Sequence, residues 1–397
     1  MRKKVNIDDL CIGMYIDKLE GSWLKHPFWK TSFKLTDRKD INTIKSSGIS
    51  QVWIDTCKGD DIETIQRSQA EVPSKPEGKP EPTVTRVALE KEIETARETL
   101  ARAKQATIEM FKDARMGSSV SIDHVSPLVD EISESVARNP SAMLSISRMK
   151  NKDDYTYLHS VAVCALMIAL GKQLDYQGDL HSLGMAGLLH DIGKMAIPDE
   201  ILNKPGKLTD EEFEIVRTHP FRGWEILKQS YDVDDLALEV VLHHHEHVDG
   251  RGYPDKLSAD KLSLVARMAS VCDVYDAITS DRCYKKGWEP AEALKKMAEW
   301  KDGQFDDAVF NAFVKTVGIY PTGTLVKLHS GRLGLVTEQS AETLLRPRIK
   351  IFYSTTSQAP IAQKIVDLTR SQETIESIEE PGTWGFDQPY IINILSS

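Results

Sequence analysis

The most informative feature of the sequence is a series of histidines and aspartates that recur roughly one helix plus one loop apart. His190 and Asp191 are adjacent, His159 lies upstream, and His219, the run from His243 to His247 and Asp273 lie downstream. Neutral imidazoles and ionised carboxylates suit borderline divalent cations, and neighbouring ligands can serve two ions at once. The pattern predicts a dinuclear site that hydrolyses a phosphate ester.

The clustering of these histidines favours ligands over ordinary core residues. A single histidine in an apolar helix, such as His159, is more often a hydrogen-bonded core residue. Eight of the 11 histidines, however, fall between His159 and His247, which is under a quarter of the chain. In the run 243–247, consecutive helical side chains splay about 100° apart, so at most two or three of them can face one site. The run does not fit the His-Glu-x-x-His motif of zinc proteases, because Asp249 stands where the second histidine of that motif would be.

The composition predicts a globular protein of two or three domains. The chain has 397 residues, 41% of them hydrophobic and 28% charged, with a net charge of -10. The acidic balance argues against a nucleic-acid polymer as partner. The sequence has neither a signal peptide nor a run of 18 apolar residues, so we expect a cytoplasmic protein without membrane insertion. The five cysteines are scattered, which indicates reduced structural thiols.

The first part of the chain predicts a small domain followed by a linker and a helix. Residues 1–68 form the predicted N-terminal α/β regulatory domain, with strands at 11–16 and 51–54 and a helix at 36–47. Residues 69–85 hold four prolines among polar residues and predict a linker. Residues 86–117 predict a connecting helix with an apolar seam. That seam either forms a homodimer through residues 87–115 or packs on its own catalytic domain.

Residues 118–320 predict an all-α catalytic domain, and residues 321–397 a small β appendage. Helices are expected at 153–174, 180–192, 234–245 and 262–280, several of them apolar around most of their circumference. The helix that carries His190 is expected to end at Gly193. Thr209 and Glu212 predict a capping box that opens the helix carrying His219. In the appendage, strands at 324–329 and 332–337 flank Ser330-Gly331, a hairpin signal, and a third strand covers 348–353.

Several long motifs, in order and with the right spacing, resemble those of the HD-GYP family. They are His190-Asp191-x-Gly193-Lys194, His219-Pro220, and His244-His245-Glu246-x-x-Asp249-Gly250-x-Gly252-Tyr253-Pro254. The likeness covers about half of the chain, residues 126–320. It implies an all-α HD-type helical bundle that acts as a bacterial cyclic di-GMP phosphodiesterase. The segment 5–61 is similar to an uncharacterised domain often found ahead of HD-GYP domains.

The resemblance implies roles for individual residues. The implied metal ligands are His159, His190, Asp191, His219, His244, His245 and Asp273. Asp191 bridges the ions and Lys194 contacts the scissile phosphate, which makes these two the catalytic residues. Residues implied in substrate binding are Asp153, Lys194, Gly252, Tyr253, Pro254, Arg282 and Lys285. The chain departs from the family at Cys283, where proline is usual, and at Tyr155, where some members have a glutamate that binds a third metal.

The implied cofactor is therefore a pair of divalent metal ions. Fe or Mn is expected, with Zn, Ni, Mg and Co as alternatives, because imidazole and carboxylate suit several of these metals. A hydroxide that bridges the ions would attack cyclic di-GMP to give linear pGpG, with onward hydrolysis to GMP left open. Two other hypotheses are a non-catalytic cyclic di-GMP receptor, whose usual mark is the loss of ligands, and an HD-type phosphohydrolase acting on another nucleotide.

Overall fold

The computed structural model describes most of the chain and divides it into two compact units. The described residues are 2–7, 10–19, 32–35, 41, 44–45, 51–60, 86–148, 155–230, 232–281, 286–300, 303–340 and 343–397. The units are Met1–Thr83 and Val84–Ser397.

The N-terminal unit is built on a four-stranded antiparallel sheet in the order β1-β4-β2-β3. The strands are β1 Arg2–Asn6, β2 Tyr15–Leu19, β3 Phe33–Lys34 and β4 Gln51–Asp55. Alternate residues of β4, Val52 and Ile54, are buried in a core that also holds Ile41 and Ile44. The strand expected at 11–16 begins only at Tyr15, because Gly13 adopts φ +100° in a turn. Of the helix expected at 36–47, residues 41, 44 and 45 are described and are helical.

The larger unit contains a helical bundle, as the sequence predicts, followed by a C-terminal sheet. Its helices are α1 Leu89–Arg115, α2 Ser126–Arg138, α3 Pro140–Arg148, α4 Tyr155–Gln173, α5 Leu180–Leu189, α6 Asp199–Leu202, α7 Asp210–Val216, α8 His219–Lys228, α9 Asp235–His243, α10 Leu264–Thr279, α11 Pro290–Trp300 and α12 Asp307–Val317. Asp179, Asp234 and Ser263 cap α5, α9 and α10 through side-chain oxygens that accept backbone N–H groups. These caps fix where α10, which carries Asp273, begins, and where the two helices that lead into the turns with His190 and His244 begin.

Helix α4 lies at the centre of the bundle. It packs against α1, α2, α3, α5, α10 and α12, and all of its residues from Leu158 to Gly171 are buried. It is also the one helix of the described residues that is long and apolar enough to cross a bilayer by length and composition, and 78% of the relevant window is buried inside the protein. An apolar circumference is the expected property of a helix surrounded by other helices.

The apolar seam of α1 faces the protein's own bundle. Ile93, Ala96, Leu100, Ala103 and Met110 are buried, and α1 contacts α2, α3 and α4. Of the two alternatives that the sequence left open, packing on the same chain is the one observed for this seam. A homodimer through residues 87–115 stays a prediction, and it would have to use the outer side of the helix.

Two helix boundaries near the predicted ligands differ from expectation. Helix α5 ends at Leu189, and a turn at His190 and Asp191 leads into a 3-10 helix over Ile192–Ala196. Gly193 therefore lies within the 3-10 helix and does not end α5. The capping box of Thr209 and Glu212 is present, but the helix that it opens stops at Val216, and His219 begins the next one, α8. Proline in the first turn of α8 is compatible with a new helix beginning there, because backbone N–H groups in the first turn of a helix have no partner inside the helix and proline lacks this group.

The chain ends in a five-stranded antiparallel sheet with a terminal helix. The strands are β5 Leu325–Leu328, β6 Arg332–Glu338, β7 Arg348–Ser354, β8 Ala359–Asp367 and β9 Ile375–Ile378, in the order β8-β7-β6-β5-β9, and α13 is Gln388–Ser396. The predicted hairpin is present, with Gly331 at φ +73° in its turn. Strands β8 and β9 and helix α13 were not foreseen. Strand β8 is largely exposed, so it has little of the alternation that reveals a strand.

Candidate metal centre

Five elements bring the predicted ligands together at one end of α4. His159 lies on α4, His190 and Asp191 in the turn after α5, and Asp273 on α10, and their ligand atoms are within 4.8 Å of one another. A second group consists of His219 at the start of α8 with His244 and His245 after α9. The buried histidines of both groups are almost inaccessible to solvent, and His245 keeps 23% of its side chain exposed. All seven predicted ligands therefore meet, in two adjoining clusters.

Asp191 lies between the two clusters, with one carboxylate oxygen toward each. Its Oδ2 is 3.5 Å from His159 Nε2 and 3.3 Å from His190 Nε2. Its Oδ1 is 3.3 Å from His219 Nε2 and 3.8 Å from His244 Nε2. A carboxylate whose two oxygens face two groups of nitrogen donors has the arrangement that a bridging ligand requires.

The main chain holds three of the histidines in the orientation that a ligand needs. Nδ1 of His190 donates to the Gly187 carbonyl at 2.8 Å, and Nδ1 of His219 donates to that of Val216 at 2.7 Å. His244 donates in the same way to Val241 at 3.0 Å. A carbonyl oxygen only accepts hydrogen bonds, so the proton of each neutral ring is on Nδ1 and the lone pair of Nε2 points into the site.

The positions of these Nε2 lone pairs indicate whether the site suits a cation. Nε2 of His219 and Nε2 of His244 are 3.3 Å apart, and Nε2 of His190 is buried with no hydrogen bond to any residue that the structure describes. Burial and the neighbouring histidines hold the pKa of His244 well below its usual value, so its ring is neutral. Two facing lone pairs repel unless a cation lies between them, and a buried nitrogen without a partner costs free energy. The donor set fits divalent metal ions bound by imidazole and carboxylate.

Charge in the site is balanced by positive groups around two buried carboxylates. Burial acts to raise the pKa of Asp191, but Lys194 and His190 outweigh it and hold that pKa well below the usual range. For His190, burial alone would lower the pKa, yet Asp191 and Asp273 raise it to about 10. Lys194 Nζ is 2.5 Å from Asp191 Oδ2. The ammonium of Lys194 supplies positive charge beside Asp191, and a divalent cation at Nε2 of His190 would take the place of a second proton on that ring.

The loop that contains Gly252, Tyr253 and Pro254 forms one wall of the centre. The ring of Tyr253 stacks on that of His245 with centroids 4.8 Å apart, and the guanidinium of Arg217 lies 4.7 Å from the Tyr253 centroid on the ring face. Burial, with Asp273 and Asp191 nearby, raises the pKa of Tyr253, so its hydroxyl stays protonated. Arg217 was not foreseen. The signal that could have found it is its place two residues before His219.

Glu246 fastens this loop to the turn that carries His244 and His245. Its buried carboxylate accepts the backbone N–H of Asp255 at 2.7 Å and that of Leu257 at 3.1 Å. Gly250, at φ +75°, makes a tight turn in this loop. At Gly252, an added Cβ would lie 2.4 Å from Glu246 Cα, so the missing side chain makes room for the protein's own backbone. The loop and the histidine turn therefore pack as one piece.

Glu246→Gln is expected to loosen the loop without removing metal. The amide keeps one acceptor but turns an N–H₂ group toward one of the two backbone N–H donors, and an unsatisfied buried donor costs about 1–3 kcal/mol. We expect kcat/KM to fall about 10-fold, since 1.4 kcal/mol is a factor of ten, and the amides of Asp255 and Leu257 to exchange faster. Glu225→Gln, on the exposed side of α8, is the matched control. Unchanged amide exchange in Glu246→Gln would contradict the role of Glu246 in holding the loop.

Close backbone contacts at glycines position the ligand helices, and sequence reasoning missed them. A Cβ on Gly193 would lie 1.9 Å from the His219 carbonyl oxygen and 2.4 Å from Gly223 N. A Cβ on Gly187 would lie 3.0 Å from the backbone of Cys164 on α4. The first contact brings His219 beside the turn of Asp191, and the second brings α5 against the helix that carries His159.

Three of the predicted substrate-binding residues, Asp153, Arg282 and Lys285, lie outside the described residues. Of the other four, Lys194 lies against Asp191, Tyr253 stacks on His245 and Gly252 packs against the backbone of Glu246. Pro254 follows Tyr253 on the same loop. Their roles toward substrate stay predictions.

Comparisons with known families match both units of the chain. Residues 2–125 match a domain of unknown function, DUF3391, and residues 132–309 match the HD domain. The HD match contains every predicted metal ligand. The N-terminal resemblance drawn from the sequence, which named no ligand, agrees with a domain whose function is not known.

Characterised relatives resemble the chain over different lengths. A cyclic di-GMP phosphodiesterase of Pseudomonas aeruginosa is 53% identical over 393 residues, covering 97% of this chain and 94% of its own. The cyclic di-GMP phosphodiesterase response regulator RpfG of Xanthomonas campestris pv. campestris is 39% identical over 138 residues, 34% of this chain and 36% of its own. A solved HD-GYP-type protein, Bd1817 from Bdellovibrio bacteriovorus, has 17% identity and a TM-score of 0.48, covering 79% of this chain and 99% of its own. By its motifs, its HD domain and a relative that matches nearly end to end, the chain belongs to the HD-GYP family.

Proposed function

We propose that the protein is a metal-dependent phosphodiesterase that hydrolyses cyclic di-GMP to linear pGpG. The observation that carries the proposal is the carboxylate of Asp191, whose two oxygens face two separate groups of histidine nitrogens. The P. aeruginosa relative that matches nearly the whole chain is named for this activity. Onward hydrolysis of pGpG to GMP is a second step that the same centre could perform.

The proposed cofactor is two divalent metal ions, Fe or Mn. One would be held by His159, His190, Asp191 and Asp273, and the other by His219, His244 and His245 together with Asp191. Two such cations, when bound, stabilise the negative charge that develops on the phosphoryl oxygens as water attacks. Tyr155 stacks on His159 with centroids 5.4 Å apart. An aromatic ring there supplies no carboxylate for a third ion, which supports a count of two.

The protein's own groups would orient the scissile phosphate. Lys194 is 21% exposed and lies against Asp191, so its ammonium can turn to a phosphate oxygen beside the centre. Tyr253, packed between His245 and Arg217, forms a rigid wall on the same side. Attack by water breaks one P–O bond of the cyclic dinucleotide, and the released ribose oxygen takes up a proton to leave linear pGpG.

The experiment that tests the function is turnover with defined metal content. Protein purified without oxygen and loaded with Mn(II) or Fe(II) should convert cyclic di-GMP to pGpG, as followed by chromatography of the products. Removal of the metal by chelation should abolish turnover, and returning the metal should restore it. A panel containing 3′3′-cGAMP, pGpG and mononucleotides tests the substrate. Faster cleavage of any of these than of cyclic di-GMP, or full turnover after exhaustive chelation, would contradict the proposal.

A cytoplasmic location is part of the proposal. It is supported by the burial of α4, the one helix among the described residues with the length and composition to span a bilayer. Fractionation of cells that produce the full chain would test the location of the protein. The N-terminal domain would have the regulatory role.

A further inference from the structure

Asp276 lies behind the imidazole of His159, on the side away from the ligand clusters. Its Oδ2 accepts a hydrogen bond from His159 Nδ1 at 2.6 Å, and the carboxylate is buried. On the opposite side of the ring, His159 Nε2 is 3.0 Å from Asp273 Oδ1 and 3.5 Å from Asp191 Oδ2. An ionised carboxylate only accepts hydrogen bonds, so it fixes the proton on Nδ1 and leaves Nε2 to the site.

This arrangement differs from that of the other buried histidines. His190, His219 and His244 each donate Nδ1–H to a main-chain carbonyl. Those carbonyls are neutral, and they belong to the turn that carries the histidine itself. The partner of His159 is a full negative charge on another helix, α10. A carboxylate behind a ligating imidazole raises its basicity and strengthens its bond to a metal.

Asp276 lies on the same helix as the predicted ligand Asp273. The two residues are three apart on α10, so they share one face of that helix. Asp273 faces the Nε2 edge of His159 and Asp276 faces the Nδ1 edge, and the Ser280 hydroxyl lies 3.4 Å from Asp276 Oδ2 one turn further on. One helix therefore holds the imidazole from both edges.

We propose that Asp276 is a positioning residue that makes the two metal-ion sites unequal. By holding His159 with a charged acceptor, it makes the site of His159, His190, Asp191 and Asp273 the tighter of the two. The site of His219, His244 and His245 has only neutral main-chain acceptors behind His219 and His244, and it releases its ion first. This inference rests on the dinuclear centre proposed above, but not on the identity of the nucleotide that the centre hydrolyses.

The test is a metal titration of Asp276→Asn in the full-length protein. Asparagine keeps the size of the side chain but loses its charge, and its amide can donate to the ring and select the wrong tautomer. Wild type should bind Mn(II) in two classes of different affinity, measured by calorimetry and elemental analysis. In Asp276→Asn the tighter class should weaken by about 10- to 100-fold, the usual effect of losing such a partner, while the weaker class stays unchanged.

Asp130→Asn is the matched control. Asp130 makes the same kind of hydrogen bond, at 2.7 Å to Nδ1 of His181, but its side chain is 63% exposed and far from the ligands in sequence. Both metal classes should be unchanged in this variant. Ser280→Ala, which leaves Asp276 and His159 in place, should weaken the tighter class by a smaller factor, and it decides the matter if Asp276→Asn does not fold.

Several outcomes separate this inference from the proposed function. If both classes weaken by the same factor in Asp276→Asn, or if neither does, Asp276 does not set the difference between the sites and the inference is overturned. If Asp276→Asn weakens only the tighter class but wild type does not hydrolyse cyclic di-GMP, the function fails while the role of Asp276 stands. If wild type binds no metal, both are wrong.

Discussion

Asp191→Ala is expected to lower kcat for cyclic di-GMP by more than about 100-fold, because loss of an outer partner of a metal ligand alone costs about 10- to 100-fold. Asp191 is in direct contact with both clusters through separate oxygens. Its removal leaves four histidine nitrogens without the carboxylate that holds their cations together. The measurement is steady-state turnover beside the metal-to-protein ratio, which we expect to fall from two to one or less.

Asp199→Ala is the control for that variant. Asp199 is an exposed carboxylate eight residues further on, paired with Arg115 at the surface at 3.0 Å, and an exposed ion pair of this kind contributes about 0–1 kcal/mol. Turnover and metal content should match wild type. If Asp191→Ala instead kept both ions and lost only turnover, Asp191 would be acting on the substrate or water and not as the bridging ligand.

The residues of the two clusters could be predicted from the sequence, because the chemistry of metal binding limits the choice of residue. Buried histidines and aspartates are costly unless they are paired, so eight histidines crowded into one stretch of helices point to a common site. The family motifs then assigned positions such as His159 and Asp273, which no local pattern distinguishes from core residues. The two clusters contain all of the ligands so predicted.

The hydrogen bonds and close contacts that hold those residues in place could not be predicted, because they depend on backbone atoms brought together by packing. The carbonyls behind His190, His219 and His244 belong to residues of any type, so no sequence pattern marks them. Asp276 is visible only as one more acid near Asp273. In the sequence, Gly193 has the pattern of a residue that ends a helix. Only the structure shows that the backbone of α8 occupies the space where a side chain at this position would lie.

The helix boundaries were missed for a related reason. Residues 183–189 are an unbroken run of apolar residues and glycines, and this pattern does not mark where the α-helix gives way to the turn and the 3-10 helix after Leu189. His190 keeps helical dihedral angles at the end of α5, and Asp191, at φ -102° and ψ 7°, leaves the α-helical repeat. Adjacent residues can then both face the same site, whereas a continuous helix would separate them by about 100°.

Gly193→Ala is expected to disable the centre without replacing any predicted ligand. The new Cβ would lie 1.9 Å from the carbonyl oxygen of His219 and 2.4 Å from the nitrogen of Gly223, and neither is the end of a flexible side chain that can turn away. The 3-10 helix and α8 must therefore move apart, which we expect to cost about 1–3 kcal/mol of unfolding free energy. Because His219 begins α8 and Asp191 precedes the 3-10 helix, the separation pulls His219 away from Asp191.

The measurements are denaturant unfolding of the metal-free protein and metal content at saturating Mn(II). We expect a lower midpoint and loss of the ion held by His219, His244 and His245, while the ion beside His159 remains. Gly382→Ala is the matched control, since this exposed glycine has no atom within 4 Å of an added Cβ and no positive φ. A Gly193→Ala protein that kept both ions and wild-type stability would show that the backbone contact yields at little cost, and that His219 is held in place by its own helix alone.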